Sequence, residues 1–323
     1  MNISASSNES LQRAILEALA YSDIFEHPLR LEELHRYLPV RTDVAEVPPA
    51  LDSLQGQVEK QDEFYFLTGR VDIVEIRRQR EARSRELLPH SIRYGRMLGS
   101  LPFVRMVALT GSLAVLNVSK AADFDYMLVT TKGRVWTARL FAVALNRLAN
   151  LFGYRLCPNL IVSETALEWP LHDLYSAREL VQMIPITGMD VYYRLMKANE
   201  WARDLLPNSS HDSAKRPFGD SREERATKVA TTSKSFFEFL LRSKLGDRFE
   251  NWEMTRKINR FSKQPGFGEE TIFTAELCQG NFHHHRKWTR DVFEEKLAAL
   301  AAVPGGELLK YPSPRTATQA HIV

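Results

Sequence analysis

The sequence has few cysteines, no long apolar run and only a small excess of basic residues. Two cysteines in 323 residues, Cys157 and Cys278, are too few for a disulfide-rich secreted scaffold, so we expect free thiols and a cytoplasmic location. No apolar stretch approaches the ~20 residues that a membrane-spanning helix needs. The first residues also lack the basic and apolar segments of a signal peptide. We therefore expect no membrane partner.

The charge balance limits the function further. Lys and Arg number 43 and Asp and Glu 40, a formal net charge of +3, and this excess is too small to indicate a nucleic-acid partner by itself. Nucleic acid stays open as a partner without being favoured, whereas the charge is compatible with an anionic small molecule such as a nucleotide. The length predicts about two or three domains and leaves the oligomeric state open.

Residues 1–70 are predicted to form a winged-helix-like module. Leu11, Ile15 and Leu19 recur at helical spacing, and a short aromatic strand ends the segment. DNA binding would require basic residues on the predicted third helix, but residues 49–57 contain no Arg or Lys. This absence favours a packing or partner-docking role for the module over DNA binding.

The rest of the chain divides into four segments. Residues 71–100 predict a connecting helix, whose seven arginines form either a solvated face with pairs such as Arg77–Glu81 or a basic wall beside a phosphate site. The other segments are a core of alternating strands and helices at 101–165, a helical region at 166–310 and a disordered tail at 311–323. The expected fold class is α+β or α/β, with a small mixed sheet and flanking helices in the core.

The most informative pattern is a Gly-Ser turn followed by two aspartates. Gly111 and Ser112 follow an apolar strand, and Asp123 and Asp125 begin another strand after ten intervening residues. Gly allows a positive φ and a close approach of backbone N–H groups to a ligand, while Ser adds a hydroxyl where a helix begins. We therefore expect Gly111 and Ser112 to bind a nucleotide phosphate.

The two aspartates are predicted to bind a cation. Residues two apart on a strand point to the same face, so Asp123 and Asp125 bring two carboxylates together. Such carboxylates repel each other unless a cation neutralises them, and Mg²⁺ commonly joins one or two carboxylates to substrate phosphates. Mg²⁺ is therefore the expected cofactor.

This order and spacing resemble the polymerase-beta-like nucleotidyltransferase superfamily. Its signature is an apolar residue, Gly, then Gly or Ser, about ten residues, and Asp-apolar-Asp-apolar, which residues 104–130 match closely. More loosely, the layout resembles an uncharacterised bacterial group of nucleotidyltransferase-domain proteins, through residues 21–25, 156–160 and 199–201. The resemblance implies that Mg²⁺ ions held by the carboxylates assist an acceptor hydroxyl in attacking a nucleotide's α-phosphate, with release of pyrophosphate.

One departure from the superfamily concerns its usual third carboxylate. The strand predicted at 156–162 carries Asn159 at the likeliest equivalent position, and an amide cannot act as a base. Asn159 is either a third metal ligand or a hydrogen-bonding core residue. Glu164, at the end of the strand, is an alternative third acid.

Other candidates are weaker. The residues His283, His284 and His285 are adjacent, so they lack the i,i+4 spacing of a helical zinc site. Three cations after the acidic strand could reach a phosphate, although a surface role is favoured for them: Lys132, Arg134 and Arg139.

Three functions follow from these expectations. The first is an enzyme that moves a nucleotide from a nucleoside triphosphate to an unidentified acceptor hydroxyl. The second, favoured by the missing carboxylate, is a weak or inactive nucleotide sensor that acts through its N-terminal module. The third is an interaction protein in which the core serves only as a scaffold, because a fold does not determine a function.

Overall fold

The computed structural model describes residues 3–119, 123–209, 228–268 and 270–301. Its helices, together with one short 3₁₀ turn at Val44–Glu46, are α1 (Ile3–Asp23), α2 (Leu31–Arg36), α3 (Val47–Asp52), α4 (Asp72–Gly99), α5 (Gly111–Ala114), α6 (Val135–Asn150), α7 (Leu174–Gln182), α8 (Met189–Ala198), α9 (Ala202–Leu205), α10 (Lys228–Leu241), α11 (Lys244–Phe261) and α12 (His285–Ala301). Its strands are β1 (Val58–Gln61), β2 (Phe64–Leu67), β3 (Val104–Leu109), β4 (Asp123–Thr130), β5 (Arg155–Ser163), β6 (Ile184–Thr187), β7 (Thr271–Phe273) and β8 (Leu277–Gly280).

A mixed sheet of six strands forms the centre of the molecule, in the order β6-β3-β4-β5-β8-β7. Only β4 and β5 pair in parallel; each of the other neighbouring pairs is antiparallel. On β4, Phe124 and Tyr126 belong to the apolar core that includes α4 and α6. Met127 and Val129 belong to the core formed with α7 and α8 on the other face. Helices therefore cover both faces of the sheet, as its mostly apolar strands require.

The N-terminal residues form a separate apolar cluster from α1, α2, α3 and the β1-β2 hairpin. A buried ion cluster joins α1 to the segment before α4 and to α12. Asp23 accepts a hydrogen bond from Arg70 Nε at 2.7 Å and one from Lys296 Nζ at 2.5 Å. Because Lys296 lies on α12, the last described helix packs against the first.

Helix α4 connects the module to the sheet. Ile73 and Val74 pack with the aromatic residues of β2, whereas Leu88 and Ile92 belong to the core of the sheet. Arg77 is only 1% exposed and bonds Glu33 Oε1 at 2.8 Å. The predicted pair of Arg77 with Glu81 is present at 3.4 Å, but the expected solvated face is wrong at this position, because the module covers it.

The alternation of strands and helices predicted for residues 101–165 is confirmed. The described part of the chain mixes α and β structure. The helix expected to begin at the Gly-Ser turn is short, because α5 ends at Ala114 and Leu116 has a φ of 55°. The helical region predicted at 166–310 contains α7 to α12, but it also contains β6, β7 and β8, which extend the sheet on both sides.

The disordered tail predicted at 311–323 lies outside the described residues. No helix in the described part of the chain is long and apolar enough to cross a membrane.

Asn199, part of the third resemblance segment, has a structural role. Its amide is fully buried and connects four groups: it accepts from Trp169 N and Trp201 Nε1 and donates to the carbonyls of Leu167 and Leu195. Asn199→Ala leaves these groups without a partner, so we expect the free energy of unfolding to fall by about 1–3 kcal/mol. Urea denaturation measures the change, with the exposed Asn150 as the control position. A loss no larger than that of Asn150→Ala would contradict this assignment.

Candidate functional site

The pairing of β3 with β4 brings the Gly-Ser turn to the aspartates. Leu109, the last residue of β3, lies opposite Tyr126, and Thr110 N donates to the carbonyl of Asp125 at 2.9 Å. The next residue, Gly111, begins α5. Two segments that are separate in sequence therefore meet at one edge of the sheet.

Gly111 lies directly against the carboxylate of Asp125. Its φ is 65°, and a Cβ atom added to it would lie 2.5 Å from Asp125 Oδ2. A side chain of any size would collide with this carboxylate, and the positive φ separately disfavours other residues. Both the turn and the close approach explain why glycine stands here.

The two aspartates share one face of β4. Phe124 and Tyr126 are buried on the α4 side, whereas Asp123 and Asp125 alternate with them and are only half-buried. Strand alternation therefore directs both carboxylates towards the α7 side of the sheet. Arg155 Nη1 lies 3.4 Å from Asp123 Oδ1 in a largely exposed ion pair.

Asp125 has the more unusual electrostatic environment. Burial is the largest cause that raises its pKa, to about 7, and the charge of Asp123 adds to the effect. A hydrogen bond from Asn159 opposes this rise. A bound metal ion would relieve the repulsion between the two carboxylates.

Asn159 occupies a bulge in β5. Tyr126 pairs with Pro158 and Met127 with Leu160, so Asn159 has no partner in the register of the strands. Its Nδ2 donates to Asp125 Oδ1 at 2.6 Å, while its Oδ1 accepts from the Cys157 thiol at 2.7 Å. Bulges commonly redirect a side chain next to an active site. The atom that faces Asp125 is a donor nitrogen, so ligation of a cation by Asn159 would require its amide to rotate.

Ser112 lies exposed in the first turn of α5. Its carbonyl accepts from Asn117 N at 2.8 Å. Because α5 has only four residues, its aligned peptide dipoles contribute less than those of a longer helix would. Any phosphate bound here would therefore depend mainly on individual N–H groups and on the serine hydroxyl.

Two residues of α7 also face this site and were missed by the sequence analysis. Glu179 accepts a hydrogen bond from the Gly111 backbone, and its pKa is raised to about 7 by burial and then by the charge of Asp125. Tyr175 has a raised pKa, chiefly from burial, with further contributions from Glu179 and Asp125 among its neighbours. A phosphate that binds the Gly111 N–H would have to displace the Glu179 carboxylate.

Some predicted candidates lie elsewhere. Glu164 follows the far end of β5, where its N–H bonds Thr130 and its carboxylate lies 3.7 Å from Arg194 Nη2. Because seven residues of strand separate it from Cys157, at ~3.3 Å each, Glu164 is roughly 20 Å from the aspartates and cannot replace the missing acid.

The basic candidates do not converge on the site either. Lys132 is exposed, Arg134 Nη2 pairs with Asp247 Oδ1 at 2.7 Å, and the Arg139 guanidinium lies over the Phe261 ring. Within the described residues, no group of three or more His, Cys, Asp or Glu side chains could hold a metal ion by itself. This finding includes the three consecutive histidines.

Comparison with known proteins adds no relatives. No protein-family model matches the chain, and no match was found among curated proteins or among solved structures. The site must therefore be interpreted from its own residues.

Proposed function

We propose that the chain is a Mg²⁺-dependent nucleotidyltransferase that uses a nucleoside triphosphate and an unidentified acceptor hydroxyl. The observation that carries the proposal is the contact of Gly111 with Asp125, since the added Cβ would lie only 2.5 Å from Oδ2. A phosphate-binding turn and a cation-binding carboxylate can act on the same nucleotide only when they are adjacent. The motif resemblance supports the same interpretation.

The donor set is compatible with Mg²⁺. Asp123 and Asp125 supply carboxylate oxygens on one face, which suit a hard cation. Two carboxylates leave most of an octahedral shell open, so the ion is expected to bind together with nucleotide phosphates and water. When bound, Mg²⁺ would neutralise phosphate charge and favour the departure of pyrophosphate.

The chain's own residues would position the reactants. The N–H groups of the Gly111 turn and the Ser112 hydroxyl would orient the phosphates, with Glu179 released from the Gly111 N–H. The acceptor oxygen would form a bond to the α-phosphorus as the bond to pyrophosphate breaks, and the hydroxyl proton would pass to solvent. Positioning and charge neutralisation would supply most of the rate enhancement.

A nucleotide sensor is the second candidate, and a specific set of contacts favours it. Asn117 bonds the carbonyl of Ser112 through its N–H and the carbonyl of Phe25 through Nδ2, at 2.8 and 2.9 Å. Arg80 Nη1 also reaches Asn117 Oδ1 and the Phe25 carbonyl. The Gly-Ser turn is thus joined to the N-terminal module, so occupation of the turn could be transmitted there.

A nucleotide panel with Mg²⁺ separates the three functions. Release of pyrophosphate from any of the four common triphosphates, tested with pooled hydroxyl acceptors, supports the enzyme. Tight binding without release supports the sensor. Absence of binding for all of them rejects both and leaves the scaffold.

Asn159→Asp tests the role of the missing acid. The new carboxylate would face Asp125 where the amide now donates at 2.6 Å, so repulsion should lower the melting temperature without metal. Mg²⁺ should reverse this loss and bind at least about tenfold more tightly without nucleotide. Calorimetric titration and thermal melts measure both effects.

The exposed Asn259 on α11 provides the control, because Asn259→Asp adds the same charge away from the site. If Asn159→Asp and Asn259→Asp bind Mg²⁺ equally, residue 159 does not belong to the cation site. The assignment of Asn159 as a third metal ligand would then be withdrawn.

A further inference from the structure

Arg178 is a buried cation at the boundary between α7 and the N-terminal module. It is 3% exposed, and its Cζ lies 3.8 Å from the ring centroid of Tyr37 and 4.5 Å from that of Tyr21. Its Nε has no hydrogen-bond partner. Two aromatic rings therefore surround this cation, and its Nε–H has no acceptor among the described residues.

Other buried arginines have carboxylate partners. Arg70 pairs with Asp23, Arg77 with Glu33 and Arg134 with Asp247, at 2.7, 2.8 and 2.7 Å. Among the described residues, Arg178 has no such ion pair. Burial lowers its pKa, and only Tyr37 and Tyr21 oppose the change.

This environment is unfavourable for a purely structural residue. Burial removes this cation from water at a large free-energy cost, and the two aromatic rings that offset part of it give the Nε–H no hydrogen-bond acceptor. The two rings lie within 4.5 Å of Cζ and the Nε–H is unpaired, so an anion that pairs with this guanidinium would bind through its N–H groups. A buried cation without a carboxylate partner is a candidate for ligand binding.

The position of Arg178 connects it to the proposed active site. Residue 179, its neighbour on α7, bonds the Gly111 N–H, and α7 packs against α5. On its other side, Arg178 acts electrostatically on His27, which also interacts with Asn117. Asn117 in turn bonds Ser112. Arg178 therefore shares α7 with a residue that bonds the Gly-Ser turn, and it acts electrostatically on a residue that interacts with Asn117.

We propose that Arg178, flanked by Tyr21 and Tyr37, binds the phosphate or carboxylate group of the second substrate. The anion-binding role depends on the geometry of Arg178 alone. The identity of the ligand as the acceptor rests on the proposed function. The acceptor would then carry an anionic group in addition to the hydroxyl that receives the nucleotide.

The test measures thermal stability of the full chain with EDTA present, so that no metal assists binding. Inorganic phosphate is the first probe and acetate the second, each compared with chloride at the same ionic strength. For the wild type, near-saturating phosphate or acetate should raise Tm by about 5 °C. Arg178→Met should abolish this rise while keeping or increasing the Tm without ligand. A response to phosphate alone, or to acetate alone, identifies the chemistry of the ligand.

Arg77→Met is the matched control, since it removes a buried arginine that has carboxylate partners. Its Tm should fall sharply. The proposal is wrong if Arg178→Met lowers Tm as much as Arg77→Met does. It is also wrong if the anions raise the Tm of Arg178→Met as much as that of the wild type. The proposal is equally wrong if neither anion affects the wild type.

Arg178→Lys provides a second variant should the methionine protein fail to fold. Lysine keeps the charge but loses the planar fork between the rings, so the dissociation constant for the active anion should rise at least about fivefold. Unchanged affinity would overturn the subsite. Retained Mg²⁺-nucleotide binding in Asp125→Asn would reject the proposed function instead, without altering the result of the anion titration.

Discussion

Replacement of Asp125 by asparagine is expected to reduce Mg²⁺-dependent nucleotide binding by more than about 100-fold, because a charged oxygen ligand is lost. The amide can still accept from Asn159 and lie against Gly111, so the shape of the site should persist. Calorimetric titration with the triphosphate and Mg²⁺ measures the loss. Pyrophosphate release, if detectable in the wild type, should disappear with it.

The same variant should keep or gain stability at pH 8. Burial holds the pKa of Asp125 near 7, above its ordinary value of 3.8. For such a carboxyl the folded state retains the proton longer than the unfolded state, so its contribution to stability falls as pH rises from about 4 to 7. Asparagine does not ionise and therefore removes this loss. The Tm difference between variant and wild type should grow across that pH range.

Glu164→Gln is the control for Asp125→Asn, since Glu164 lies beyond the far end of β5 beside Arg194. It should leave nucleotide binding unchanged. Undiminished binding in Asp125→Asn, or an equal loss in both variants, would show that the carboxylate of Asp125 does not hold the cation.

The sequence predicts the centre of this site well because the pattern there is local. The alternation of charged and apolar residues at the start of β4 places Asp123 and Asp125 on one face, and the structure has them so. The apolar run before Gly111 likewise predicts a strand, and the structure has β3 there, at Val104–Leu109. In both cases the neighbouring residues alone determine the outcome.

Residues that depend on distant contacts could not be placed in this way. Glu179 reaches Gly111 only because α7 packs against α5, and no spacing in the sequence indicates that contact. Arg77 looked like a surface residue, but its partner Glu33 lies 44 positions away in the chain. The short strand β7 has a usable signal in Thr271, Ile272 and Phe273, whereas β8 contains no β-branched or aromatic residue. The pairing of β8 with β5, and of β7 with β8, is a tertiary property that neither segment indicates.

Gly111→Ala is expected to damage both stability and nucleotide binding, and a second glycine separates the two causes. Gly111 and Gly133 have nearly equal φ values of 65° and 67°, but nothing lies within 4 Å of a Cβ added at Gly133. Gly133→Ala should therefore lower the free energy of unfolding by only about 1–2 kcal/mol, which is what the left-handed conformation costs an alanine. Nucleotide binding should be unchanged. Gly111→Ala adds a collision with Asp125, so it should cost more and weaken nucleotide binding by about 100-fold.

The cause of that extra loss can be tested in an Asp125→Ala background. Alanine at position 125 has no carboxylate. Of the side-chain atoms at that position, only the Cβ remains, 3.2 Å from the Cβ added at residue 111. The cost of Gly111→Ala, measured by urea denaturation, should fall to nearly that of Gly133→Ala. This difference is the coupling energy between the two positions. If Gly111→Ala lowers the free energy of unfolding equally in both backgrounds, the positive φ alone accounts for the loss. The Gly-Ser turn would then lack the close contact with the Asp125 carboxylate on which the proposed nucleotide site depends.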